Sequence, residues 1–179
     1  MANHEERPRT ETVDLLLAFS RKKDGQSNKK CIRIVVRDFN LDLAILESRL
    51  KILGGTWRIH ATVNKRDIKK AKKYLLHKLI DEDIFDGCID SLWRTALLQK
   101  ENVSNYENRF LLDVDTKNEK QINQLEQLIQ DSLGVIKNKI ETPSGWHIIT
   151  KPFDTRKVCE LPYVTLIRDG YYFVKKVGE

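Results

Sequence analysis

Phe110-Leu111-Leu112-Asp113-Val114-Asp115 is an apolar run that ends in two alternating carboxylates. Side chains two apart in a strand point the same way, so Asp113 and Asp115 are expected to project together where the strand leaves the core. Adjacent carboxylates repel unless a cation sits between them. Mg2+ or Mn2+ is the natural occupant, because both prefer oxygen ligands. Two such ions can flank an in-line phosphoryl or nucleotidyl transfer. The plainer reading is an Asp-rich turn, with Asp115-Thr116-Lys117-Asn118 capping the next helix. Downstream, Thr142-Pro143-Ser144-Gly145-Trp146-His147 sets a turn before another strand. The amides and hydroxyl of Ser144 and Gly145 can bind phosphate oxygens, and His147 can hydrogen-bond a phosphate beside them. A Pro-Ser-Gly hairpin with a structural histidine is the simpler account of that segment. Asp169 ends a third apolar stretch, Val164-Thr165-Leu166-Ile167-Arg168, although Asp-Gly between β-rich runs is the common hairpin turn. Asp154 is its rival as a third carboxylate.

In order, these three segments resemble the archaeo-eukaryotic primase (primase-polymerase) superfamily, in its minimal viral and plasmid-like form. The likeness runs over residues 109–174. It implies a small RRM-like α+β sheet with helices packed on it. It implies that Asp113, Asp115 and Asp169 hold the Mg2+ or Mn2+ ions, and that Ser144, Gly145 and His147 contact the nucleotide triphosphate. The implied reaction is template-directed nucleotidyl transfer that makes primers for DNA replication or repair. The implied partners are nucleoside triphosphates, a DNA or RNA template and a separate helicase, since the sequence holds no P-loop.

Upstream, Trp57-Arg58-Ile59-His60-Ala61-Thr62-Val63-Asn64-Lys65-Arg66 alternates in character. It is similar to a segment that some viral and plasmid primase-like proteins carry ahead of the D-x-D strand. Arg58, Asn64 and Arg66 are therefore candidate nucleic-acid contacts, beside a lysine-bearing helix with Lys69, Lys70, Lys72, Lys73 and Lys78. A half-buried strand and a solvated helix explain the same residues without a ligand.

The elements that must position these groups fit one domain. The chain has 179 residues, with 32 Lys+Arg against 26 Asp+Glu and a formal net charge of +6. A hydrophobic fraction of 40% is too high for a disordered chain. A basic excess suits a polyanionic partner. The three cysteines, Cys31, Cys88 and Cys159, form no C-x-x-C pair, which gives no zinc ribbon. With no apolar leader or membrane-length run, the expected setting is intracellular and cytoplasmic, with no membrane partner, and the resemblance implies a phage- or plasmid-encoded protein in a bacterial host.

An irregular start over 1–9 is expected to lead into a short helix over Val13–Phe19, capped by Thr10. A loop follows over 21–30, then a strand over 31–36. Asn40 caps a helix over 41–53, ended by Gly54-Gly55. A strand spans 56–63, with helices over 66–80 and 84–99. The second half reads as a strand to Asp115, a helix over 118–133 closed by Gly134, strands over 135–142 and 146–151, and a hairpin of 164–168 with 171–174. That order argues α+β. The chain is read as a single primase-like domain, with an N-terminal αβ accessory half (1–105) and a core carrying the three motifs (106–179). Two other functions suit the same residues. One is a non-catalytic RNA- or DNA-binding RRM-like accessory module, stacking bases on Trp57, Trp146, Tyr171 and Tyr172. The other is a metal-dependent nuclease.

Overall fold

The computed structural model describes residues 12–20, 30–81, 89–105 and 108–178. The irregular start, the Thr10 cap, residues 21–29 of the loop and residues 84–88 of the expected third helix lie outside them. The described chain is α+β, with two antiparallel sheets. No described helix is long and apolar enough to cross a membrane.

The segment expected as the first helix is instead strand β1 (Thr12–Ser20). Its neighbours explain why. β1 lies between β2 (Lys30–Val36) and β3 (Trp57–Thr62). Leu16 and Ala18 face α1 (Phe39–Leu53) on one side of the sheet, packing with Leu46 and Leu50. Leu15 and Leu17 face the other side, packing with Ala71, Ala96 and Leu97. A strand buried on both faces reads as a continuous apolar run, which periodicity cannot tell from a helix. The partners on that second face are α2 (Ile68–Asp81) and α3 (Ile89–Leu97). A two-residue strand, β4 (Arg66–Asp67), pairs with the start of β1. It delays α2, which Asp67 caps by accepting from the Lys70 amide at 3.0 Å. The cap of α1 is Asp38 rather than Asn40: its Oδ1 accepts from the Leu41 amide at 3.0 Å. Gly54, at φ 68°, ends that helix as expected.

The second sheet is built from β5 (Phe110–Val114), α4 (Glu119–Asp131), β6 (Ile136–Glu141), β7 (Trp146–Thr150), α5 (Arg156–Cys159) and β8 (Val164–Ile167). The strand order is β6-β7-β5-β8, so the D-x-D strand sits between β7 and β8. Leu112 and Val114 point into a core formed with Ile122, Leu125 and Ile129 of α4 and Ile148 of β7. Alternation then sends Leu111 and Asp113 to the opposite face. Asn118 caps α4 by accepting from the Lys120 amide at 3.0 Å. Leu133, expected as the last residue of this helix, lies past its end. It takes φ 57° and is 90% exposed.

The expected terminal hairpin does not form. β8 pairs with β5, whereas β9 (Tyr171–Val177) crosses back to pair with β3 at the edge of the first sheet. Asp169-Gly170 is the crossing, and the Val63 amide donates to the Gly170 carbonyl there at 2.9 Å. Val63, Leu111 and Ile149 form an apolar seam with Ile167 and Tyr172, joining the two sheets.

Candidate functional site

Asp113 and His147 are direct cross-strand partners on β5 and β7. His147 Nε2 lies 3.3 Å from Asp113 Oδ1, with the histidine side chain 11% exposed and the aspartate 37%. The other ring nitrogen is also engaged. The Phe173 main-chain N–H of β9 donates to His147 Nδ1 at 2.8 Å. A nitrogen that accepts carries no proton, so the neutral ring holds its proton on Nε2, facing the carboxylate. His147 therefore ties the edge of the first sheet to the second and places its Nε2–H beside Asp113.

Asp115 lies one residue past β5 and is exposed. Its amide donates to the Tyr163 carbonyl at 2.9 Å, which carries the pairing with the β8 side onward. Strand alternation puts it on the same face as Asp113. The Thr142–Gly145 turn abuts this segment. A side chain at Gly145 would come within 1.9 Å of the Val114 carbonyl oxygen, so close backbone approach demands glycine there. The Gly145 amide donates to Thr142 Oγ1 at 3.0 Å. It is spent on the turn, contrary to its expected use for phosphate. Ser144 is exposed.

Asp169 stands elsewhere. Its two oxygens accept from Arg66 Nη1 at 2.9 Å and Nη2 at 3.0 Å, a bidentate pair in which Arg66 is 1% exposed and Asp169 20%. Asn64 is buried as well. Its side chain accepts from the Arg109 amide at 2.7 Å and donates to the Arg109 and Arg168 carbonyls. Arg66 and Asn64, expected to meet nucleic acid, are thus spent on the seam between the sheets. Arg58 is half-buried on β3. Asp154, the rival acid, is bound by Arg156, which holds its carboxyl down at about 2. The β8 residue directly opposite Asp113 is Thr165. Among the described residues, no group of three or more His, Cys, Asp or Glu side chains is placed to hold a metal ion. Of the proposed stacking residues, Trp57 is 1% exposed, and Trp146 lies under the Lys139 ammonium, 4.7 Å from the ring centroid.

Sequence reasoning missed Asp14. It sits in β1 between Val13 and Leu15. Burial pushes its carboxyl above the usual carboxylate range, against the opposing pull of Lys65 and Arg109 and a Thr62 hydrogen bond. Burial also raises the Tyr172 phenol, and the Asp14 charge adds to that rise. A lone acid in an apolar run was the available signal. Compared with known proteins, the chain matches no family model, no curated protein and no solved structure at a significant level.

Proposed function

We propose that the protein is a nucleotidyltransferase of primase-polymerase type, acting at the end of β5. The cross-strand pairing of Asp113 with His147 carries this reading. It joins two motifs that lie far apart in sequence. The β-α-β-β-α-β run with order β6-β7-β5-β8 supports taking the second sheet as RRM-like. The donor set fits a shared divalent site. Mg2+ is usually held by one or two carboxylates, with substrate phosphates and water completing its shell, and half-buried Asp113 and exposed Asp115 stand at this strand end. A bound Mg2+ or Mn2+ would neutralise charge on the transferring phosphoryl group. Asp169 is not needed for that set, and its pairing with Arg66 assigns it to the seam.

The chain's own residues do the rest. The Nε2–H of His147 faces the Asp113 carboxylate at 3.3 Å. The exposed Ser144 hydroxyl lies on the turn that borders the same strand end. A base-stacking module would expose aromatic rings on the open face of the sheet. That face instead packs Leu111, Ile149 and Ile167 into the seam with the first sheet, with Asp113, His147 and Thr165 beside them.

Calorimetric titration with Mn2+ in the presence of a nucleoside triphosphate tests the reading. Wild-type protein is expected to bind. Asp113→Asn and Asp115→Asn should each weaken the metal by about tenfold or more, the cost typical of disturbing a metal's support. Equal affinity in all three proteins would remove the site.

A further inference from the structure

Helix α1 carries more apolar surface than its core contacts use. Leu46 and Leu50 turn inward and are buried. Leu41, Ile45 and Ile52 remain 60%, 56% and 87% exposed. Their spacing places them along one outer face of the helix. Arg49, four residues after Ile45 and three before Ile52, stands within the same stripe. It also lines an open groove of about 450 Å³ with Arg33 of β2 and Arg94 of α3. Asp90 is the acid among the described residues lining that groove, and Arg94 already holds it. The surface thus combines an aliphatic stripe with excess positive charge from Arg33 and Arg49 on two separate elements.

We infer that this face binds an acidic amphipathic segment of a partner protein, with its aliphatic side chains laid on the α1 stripe and its carboxylates in the arginine groove. Charge complementarity selects an acidic partner, and arginine favours bidentate pairing with carboxylates. The exposed leucine and isoleucines select a partner with apolar anchors, the recognition mode of a helix laid in a groove. A nucleic-acid track would instead interleave its cations with aromatic rings, and the described residues lining this groove are not aromatic. A second copy of the chain, paired about a two-fold axis through the stripe, would bring the same basic groove and no surplus of carboxylates to answer it. This inference stands apart from the Asp113 site and does not depend on it.

The test is fluorescence anisotropy with a labelled peptide of about 16 residues, roughly four helical turns, bearing leucines on one face and glutamates beside them. Three further probes complete it: the same peptide with glutamine for glutamate, an oligothymidylate, and sedimentation of the protein alone. The acidic peptide should bind wild-type protein. Arg49→Glu and Ile52→Asp should each weaken it by about tenfold, a 1.4 kcal/mol change, and the glutamine peptide should lose binding similarly. Both substitutions lie at exposed positions, and unchanged thermal melting checks the fold. The inference is overturned if the acidic peptide does not bind, or if neither substitution alters its binding. It is overturned in favour of nucleic acid if Arg49→Glu removes oligothymidylate binding while Ile52→Asp is silent. Dissociation of a wild-type dimer by Ile52→Asp would overturn it in favour of self-association.

Discussion

His147 makes its two ring contacts with different partners, and each contact fixes the other. The Phe173 amide compels Nδ1 to accept, which leaves the Nε2 proton for Asp113. Nitrogen-15 spectra of the histidine ring should therefore show the Nε2–H tautomer for His147 in the neutral protein, and an Nδ1–H tautomer would contradict the contact. His147→Ala would leave the Phe173 N–H without its partner and should cost about 1–3 kcal/mol in denaturant unfolding. Asp14 offers a prediction of the opposite sign. An acid whose folded-state pKa is raised contributes stability below its unfolded pKa and loses it as pH rises through the folded value. Burial raises Asp14 in this way. Asp14→Asn should accordingly melt at a higher temperature than wild type at neutral pH, and the difference should shrink as the solution is acidified below the carboxylate range. The strands that carry Asp113 and His147 were legible in sequence, and strand parity fixes the faces of these two residues. The partners of Asp169, Asn64 and Arg66 were not, because these residues meet only through contacts about a hundred positions apart, or nearly fifty for Asn64 with Arg109.

At the scale of elements, the crossing from β8 to β9 is held by the Arg66–Asp169 ion pair together with the Val63 and Asn64 hydrogen bonds. Arg66→Met would leave Asp169 without its guanidinium. Removing one partner of a buried pair costs about 3–5 kcal/mol, and the 20% exposure of Asp169 places this case near 3. Adding Asp169→Asn should recover part of the loss, and a double-mutant cycle measures it. The turn before β7 is constrained differently. Gly145→Ala drives a methyl into the Val114 carbonyl, so it should destabilise the protein by about 1–3 kcal/mol and shift the Asp115 amide in NMR spectra. Leu133 reverses the usual rule, since a leucine holds a left-handed conformation while the next residue is glycine. Leu133→Gly should raise stability by up to about 1 kcal/mol, because the side chain is 90% exposed and little packing is lost. Gly134 keeps its place for another reason: a methyl there would lie 2.6 Å from Ile129 Cγ2. The longer helices and most strands could be read from periodicity, whereas α5, with only four residues, carries too little pattern to show. β1 could not, since burial on both faces erases alternation, and the β8–β9 segment mimicked a hairpin that the Arg66–Asp169 pair pulls apart.

At the scale of the molecule, two antiparallel sheets meet at a seam made of Val63, Leu111 and Ile149, the Asn64 and Arg66 hydrogen bonds, and the His147–Phe173 contact. The edge strand of one sheet thereby reaches the face of the other where the acids emerge. The net charge of +6 is carried partly by exposed lysines of α2, such as Lys72 and Lys73, and partly by the arginine groove beside α1. The proposed nucleotidyl transfer rests on Asp113 and Asp115. A primer–template extension assay with Mn2+ and nucleoside triphosphates, resolved by product length, tests it most directly. Elongated products from wild-type protein, reduced by at least about a hundredfold in Asp113→Asn and in Asp115→Asn, are the predicted result. Shortened substrate, no elongation, or elongation unchanged by both substitutions would contradict it.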